Sequence, residues 1–330
     1  EQIEKFGSMQ ALREMTARYT GYADEKYDLY DLATQILLTA FSAIGDETVL
    51  SGLEKFLSPE HQPACYAFID EWNASAEQEK LFEIANDITE RMRLTERLEK
   101  VDTAILMQSD SLPCIDAVII ERFLQEIAEN VIKTEEILNV TESRRTAKWY
   151  NRYAYLYDGL YYIAKMQEFH YAHITGFHFG TEKELWDSYC KELYWMDTYY
   201  RRLHMDFRKS LFNTLGTLDD LFKSAVVTAE HLYQNWYLSE LNGSWNSLIK
   251  ESVADGFSQN GILQQDDFYR RVVQPIARES RVFVIISDAL RYEVATELTE
   301  KLLRETNGTA KQSAMQSVFP SITKFGMAAL

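Results

Sequence analysis

Apolar residues recur at helical spacing through most of the first 258 positions of this chain. Leu29, Leu32, Ala33, Ile36, Leu37, Ala40 and Phe41 follow an i, i+3, i+4, i+7 pattern, which predicts an amphipathic helix stopped at Gly45-Asp46. Shorter helices are predicted over 48–57, ended by Ser58-Pro59, and over 63–72. A long charged helix follows over 79–107, its pairs Asp87–Arg91 and Glu96–Lys100 placing acid before base as a helix prefers. Ser109 to Pro113 breaks it. Further helices are predicted over 115–137, 143–171, 182–215 and 218–242, with a Gly-bracketed aromatic turn at 174–180 between two of them.

The period changes near the end. Residues 266–279 read as a helix with a break at Pro275. Residues 282–286 are an unbroken, largely β-branched apolar run, as in a strand covered on both faces. It stops at Ser287-Asp288, after which Leu290, Val294, Leu298 and Leu302 share one helix stripe, with Glu293, Glu297, Glu300 and Lys301 elsewhere on its surface. Asn307-Gly308 reads as the C-cap of that helix. A second strand is predicted over 311–319, then a turn at Pro320 and a new helix from Lys324. The fold class is therefore mainly α: an all-α helical domain over 1–261, followed by the beginning of an α/β domain over 262–330.

Three residues in that last section carry candidate chemistry. Asp288 stands at the carboxyl end of the predicted strand, where open α/β sheets bind ligands, and its carboxylate suits a metal ion. Thr323, 35 residues further on, stands where a helix begins, a place that favours a phosphoryl anion. Arg291 could grip a phosphate bidentately or pair with Glu293 or Glu297. Each hydroxyl or carboxylate also has a plainer reading: Ser287 or Asp288, and Ser321 or Thr323, are all good helix N-caps. His170, His173 and His178 have ligand-compatible spacing, but their aromatic neighbours favour a packed core or turn.

Composition narrows the alternatives. Only 13 Gly and 5 Pro in 330 residues favour long helices, and most of the 20 Tyr, 17 Phe and 6 Trp read as core. A net charge of −17 opposes a general grip on nucleic acid. The clusters Arg144-Arg145-Lys148-Arg152 and Arg201-Arg202 leave room for a local basic groove, although a solvated helix face is the simpler reading. Cys65, Cys114 and Cys190 are scattered, as in a reduced cytoplasmic protein, and no run is long enough for a membrane span. There is no phosphate loop, dinucleotide fingerprint, zincin motif or nucleophile elbow. The chain opens on EQIEKF and stops inside GMAAL, and is expected to be a piece of a longer protein.

VFVIISDALRYE, followed by VFPSITKFGMAAL at 318–330, closely resembles the PglZ family, alkaline-phosphatase-superfamily members of the BREX bacteriophage-defence systems. SLPCIDAVIIERF (111–123), RRTAKWYNRYAYLY (144–157) and YQNWYLSELNGSW (233–245) extend the resemblance upstream. It implies that 262–330 is the truncated start of an alkaline-phosphatase-like domain and that the intact enzyme is a metal-dependent phosphohydrolase. Asp288 would be a metal ligand, Thr323 a ligand and the nucleophile (with Ser321 the fallback), and Arg291 a substrate contact. Two divalent cations are implied, zinc or alternatively manganese, with further Asp and His ligands after the nucleophile. The 330 residues alone are therefore expected to lack a closed metal site, to bind no metal tightly and to be inactive. Other BREX proteins are the implied partners. The alternative reading makes the helical domain a docking scaffold for them, with catalysis secondary or vestigial.

Overall fold

The helical pattern is realised in shorter pieces than its periodicity predicts. The computed structural model describes residues 8–24, 26–42, 49–212, 215–250 and 261–330. Helix α1 spans Met9–Thr20 and α2 Leu29–Phe41; Asp28 caps α2 by accepting from the amides of Tyr30 and Asp31. The α2 stripe Leu32, Ile36, Leu37, Ala40 and Phe41 is buried, as its spacing requires. The helix predicted over 48–57 is a set of turns with one 3₁₀ turn at Glu54–Phe56, and α3 is Gln62–Asn73.

The single helix predicted over 79–107 is three: α4 Gln78–Met92, α5 Leu94–Leu98 and α6 Thr103–Leu106. Arg93, at φ 51°, turns its amide back onto the carbonyls of Thr89 and Glu90 and so ends α4. The segment predicted over 115–137 splits in the same way, into α7 Pro113–Ala128 and α8 Thr134–Arg144, with Asn130 at φ 62° between them. Then come α9 Tyr150–Ala172, α10 Glu182–Ser188, α11 Tyr194–Ser210, α12 Thr217–His231 and α13 Ser239–Ile249. Widened π turns, Tyr189–Leu193 and Leu232–Leu238, join α10 to α11 and α12 to α13. The stop expected at Gly45-Asp46 and the stretch around Ser258 lie outside the described residues.

Grouped by contact, Glu1–Ala164 with Asp206–Val226 form one unit, and Lys165–Met205 with Val227–Leu330 the other. The first unit has a core of Ile69, Leu81, Ile88, Ile119, Phe123, Leu156 and Leu160, among others, all fully buried. Within it Arg144 donates to both oxygens of Asp116 at 2.8 and 2.7 Å and to the Ser109 carbonyl at 2.8 Å, while the Tyr157 hydroxyl also donates to Asp116. Burial alone would lower the Arg144 pKa; the adjoining Asp116 more than offsets it, and the net shift is upward.

The basic cluster around Arg144 is therefore neither a groove nor a solvated face. Arg144 is 3% exposed, Lys148 lies 3.2 Å from Asp70 and 3.3 Å from Asp110 over the Tyr66 ring, and Arg152 pairs with Glu79. Of the four, only Arg145 is exposed.

The second unit is organised around Asp197, which is buried and accepts from three tyrosine hydroxyls: Tyr189 at 2.8 Å, Tyr233 at 2.5 Å and Tyr237 at 3.2 Å. The two π turns carry all three tyrosines. Burial, and then the Asp197 charge, push the Tyr233 and Tyr237 hydroxyls well above the usual phenol range. His170, His173 and His178 sit in packed or turn positions: His170 against the Trp236 ring, His173 on the Phe169 carbonyl and His178 on the Thr175 carbonyl.

The same unit contains the segment expected to begin an α/β domain, and three expectations there need correction. No strand forms over 282–286; Phe283 is 81% and Ile285 91% exposed. The run has the pattern of a doubly covered strand, but among the described residues no ladder pairs with it, and Val284 and Ile286 are only about half covered. The predicted second strand shrinks to β2, Met315–Gln316, which pairs in parallel with an unanticipated β1, Leu263–Gln264. Ahead of β2, Gln312 is drawn aside, its amide donating to the Tyr292 carbonyl and the Thr296 hydroxyl. After α14, Gln274–Ala277, the helix following Asp288 does form, as α15, Tyr292–Glu305. Its burial is inverted: Leu298 and Leu302 are 46% and 43% exposed, whereas Glu293 is 2% exposed. α15 ends before Asn307-Gly308, where the Thr306 hydroxyl donates to the Leu302 carbonyl. The last helix, α16, is Thr323–Ala329.

Two predictions follow from the buried polar groups. Asp116→Ala strands a buried guanidinium and should cost about 3–5 kcal/mol in urea unfolding; a loss under about 1 kcal/mol would contradict the pairing. The neutral forms of Tyr233 and Tyr237 are favoured by the fold, so their stabilisation is complete below the unfolded value of about 10 and is lost as pH rises above it. In an absorbance titration at 295 nm these tyrosines should ionise only as the circular dichroism signal collapses. Titration of all 20 tyrosines near pH 10 with the fold intact would refute this.

Candidate active site

Asp288 lies in a turn rather than at a strand end, and the next residue, Ala289, has a left-handed backbone at φ 57°. That region is sparsely populated for a residue with a Cβ, and such strain is concentrated where side chains are held for function. The capping reading fails on position. The N-cap of α15 is Arg291 and that of α16 is Ile322, and neither cap is made by Ser287, Asp288, Ser321 or Thr323. The carboxylate and the hydroxyl are instead directed at each other. The Thr323 hydroxyl donates to Asp288 at 3.2 Å (Oδ2) and 3.4 Å (Oδ1).

Both residues line a cleft of about 490 Å³, together with Ser287, Ser321, Gln265 and Ile286. Gln265 is a residue that sequence reasoning missed. Its amide donates to the Gly326 carbonyl at 3.0 Å and its oxygen accepts from the Val318 amide at 3.1 Å, so one side chain braces both ends of the segment that carries Thr323. A Cβ on Gly326 would lie 3.3 Å from that amide nitrogen, so the Gln265 amide would have to give by a few tenths of an ångström to admit one. Nothing in the polar run QQDD marks Gln265 apart from its neighbours.

Helix α15 backs the Asp288 turn and is itself anchored. Arg201 pairs with Glu297 at 2.5 Å and approaches Glu293 at 3.7 Å; Arg202 also pairs with Glu297. Arg201-Arg202, the second candidate basic groove, is thus spent on holding this helix. The Tyr292 hydroxyl donates to the Cys190 carbonyl at 3.0 Å, and burial pushes its pKa up to about 12. Burial first, with Asp197 nearby, also raises the Glu293 carboxyl despite two guanidiniums beside it. Arg291 is one of these, 3.8 Å from Glu293, and it is not among the residues lining the cleft. The structure therefore brings Asp288, Thr323 and Ser321 together and turns Arg291 toward an acid on α15.

Among the described residues no group of three or more His, Cys, Asp or Glu side chains is placed to hold a metal ion, and no helix is long and apolar enough to cross a membrane. The oxygen donors of Asp288 and Thr323 are of the hard type that divalent cations take.

Residues 268–330 match the family model described as the BREX system PglZ alkaline phosphatase-like domain. The chain is 30% identical over 340 residues to the alkaline phosphatase-like protein BrxZ of Escherichia coli O9:H4 (strain HS), an alignment covering 99% of this chain and 39% of that protein. It is 27% identical to the alkaline phosphatase-like protein PglZ of Bacillus cereus (strain H3081.97), covering 100% of this chain and 38% of the relative. The chain thus spans about two fifths of the length of the curated relatives it matches. No solved structure matches it. The family domain covers the segment holding Asp288 and Thr323, and both relatives align along the whole chain: this protein belongs to the PglZ family.

Proposed function

We propose that these residues are part of a phosphoric ester hydrolase of a BREX system, with Thr323 as nucleophile and Asp288 as its carboxylate partner. The hydrogen bond between them, across 35 residues of sequence, is the observation that carries this reading. Thr323 Oγ1 would form a bond to phosphorus as the ester P–O bond breaks, and the hydroxyl proton would end on the leaving oxygen. Water would then displace the threonine oxygen, releasing phosphate and returning a proton to Thr323. A divalent cation bound by Asp288 and Thr323, zinc or manganese, would lower the hydroxyl pKa and offset phosphate charge.

Asp288 holds the hydroxyl in place, and the braces from Gln265, Arg201 and Arg202 keep the two segments in register. Two ligands do not close a metal centre, so the proposal includes further ligands from the longer protein that the relatives represent. The largely exposed apolar run 282–286 and the exposed face of α15 support the same point, because both are surfaces of the kind a larger α/β domain covers. With coordination incomplete, the 330 residues alone would not turn over substrate.

The test is made in the full-length native protein. Thr323→Ala and Asp288→Asn should each lower kcat for an aryl phosphate or phosphodiester by at least about 100-fold, with the circular dichroism spectrum unchanged. Activity retained within about threefold in Thr323→Ala would remove Thr323 as the nucleophile.

A further inference from the structure

Beside the Asp288–Thr323 cleft lies a second, larger pocket of about 580 Å³. Its lining is mostly aromatic and apolar. Trp186 and Trp245, ring centres 6.5 Å apart and inclined at 41°, form one part of it; Tyr189 and Tyr292, 5.9 Å apart, form another. Asn242, Gln312 and Ser313 add polar edges. Gln312 and Tyr292 are fixed in place, Gln312 by its bonds to Thr296 and the Tyr292 carbonyl and Tyr292 by its bond to the Cys190 carbonyl. The pocket is thus preformed, and apolar walls with a few polar edges suit a flat ring system that stacks and makes edge hydrogen bonds.

Its position gives it a role. Leu290 and Met315 line both this pocket and the cleft, so the two cavities share a wall. Leu290 is two residues from Asp288 and belongs to the same turn. A molecule with a ring in the aromatic pocket therefore sits across this shared wall from the cleft that holds Asp288 and Thr323.

We propose that the aromatic pocket is the leaving-group subsite of the hydrolase, and that the substrate is a phosphate ester of a flat aromatic group, a nucleoside or an aryl alcohol. The inference rests on the phosphohydrolase reading for its catalytic half, and on the pocket alone for its binding half. In the bond-breaking step the phosphorus–oxygen bond to the ring-bearing alcohol breaks at Thr323, and the alcohol leaves with the threonine proton while its ring stays seated. Uniform binding of the ring in ground and transition states would appear mainly in KM; seating that aligns the ester would appear in kcat as well.

The experiment separates the two halves. In the full-length native protein, adenosine and phenol, which carry no phosphate, are titrated while tryptophan fluorescence is followed. Quenching by either should saturate and should be reduced at least about tenfold in affinity by Trp245→Ala, with Trp245→Phe restoring most of it. The stronger of the two ligands identifies the source of the ring. In parallel, kcat/KM is compared for adenosine 5′-monophosphate, phenyl phosphate and methyl phosphate. Trp245→Ala should lower the value for the preferred ring-bearing ester by about 10-fold or more, several times more than it lowers the value for methyl phosphate. Saturable ring binding without any hydrolysis would leave the subsite standing and defeat the hydrolase reading. Hydrolysis of all three esters with no preference, and no quenching, would do the reverse and overturn this proposal.

Discussion

One hydrogen bond, from a threonine hydroxyl to an aspartate carboxylate, gives the last quarter of this chain its chemical meaning. Its two ends sit on segments that share no strand and no helix. The alignment survives because each segment is tied separately: the Asp288 turn through α15 to Arg201 and Arg202, the Thr323 segment through Gln265. An exposed hydroxyl–carboxylate bond contributes only about 1 kcal/mol of stability. It is therefore a consequence of the surrounding braces, and the braces are what place the Thr323 hydroxyl beside the Asp288 carboxylate.

A second regularity runs through both units and bears on the unusual composition. Tyrosine hydroxyls repeatedly serve acids: Tyr157 on Asp116, Tyr155 on Asp219, Tyr66 on Asp110, Tyr200 on Glu230, and three tyrosines on Asp197. A buried carboxylate needs donors, and a phenol supplies one along with a large apolar face for packing. The pairing explains how a chain of net charge −17 buries acids, and why its aromatic residues are more than filler for a core. The basic residues follow the same logic. Arg144, Lys148, Arg201 and Arg202 look like free surface charge in the sequence and are paired with acids in the structure.

How far the sequence could be read depended on how local the cause was. The α2 stripe was legible because burial and spacing coincide within one helix. Helix ends at Arg93 and Asn130 were not, since neither residue is glycine and the left-handed turn leaves no periodic trace. The run 282–286 was legible as an apolar pattern but not as a conformation, because a strand depends on partners distant in the chain. Glu293 was placed on the surface and is buried, for its environment is made by α11 rather than by its own helix. In the site, Asp288 and Thr323 stood out as residue types at element ends. Gln265, which belongs to an unremarkable polar run, became visible only through the two backbone groups it holds.

The central claim is that Thr323 takes the phosphoryl group. Rapid acid quench of the full-length native protein during turnover of a phosphate monoester, followed by peptide mass spectrometry, addresses it without relying on a substitution. The account predicts a phosphate mass increment on the peptide containing Thr323, located at that residue. The increment on Ser321 or another residue, under conditions where turnover is measurable, would contradict it.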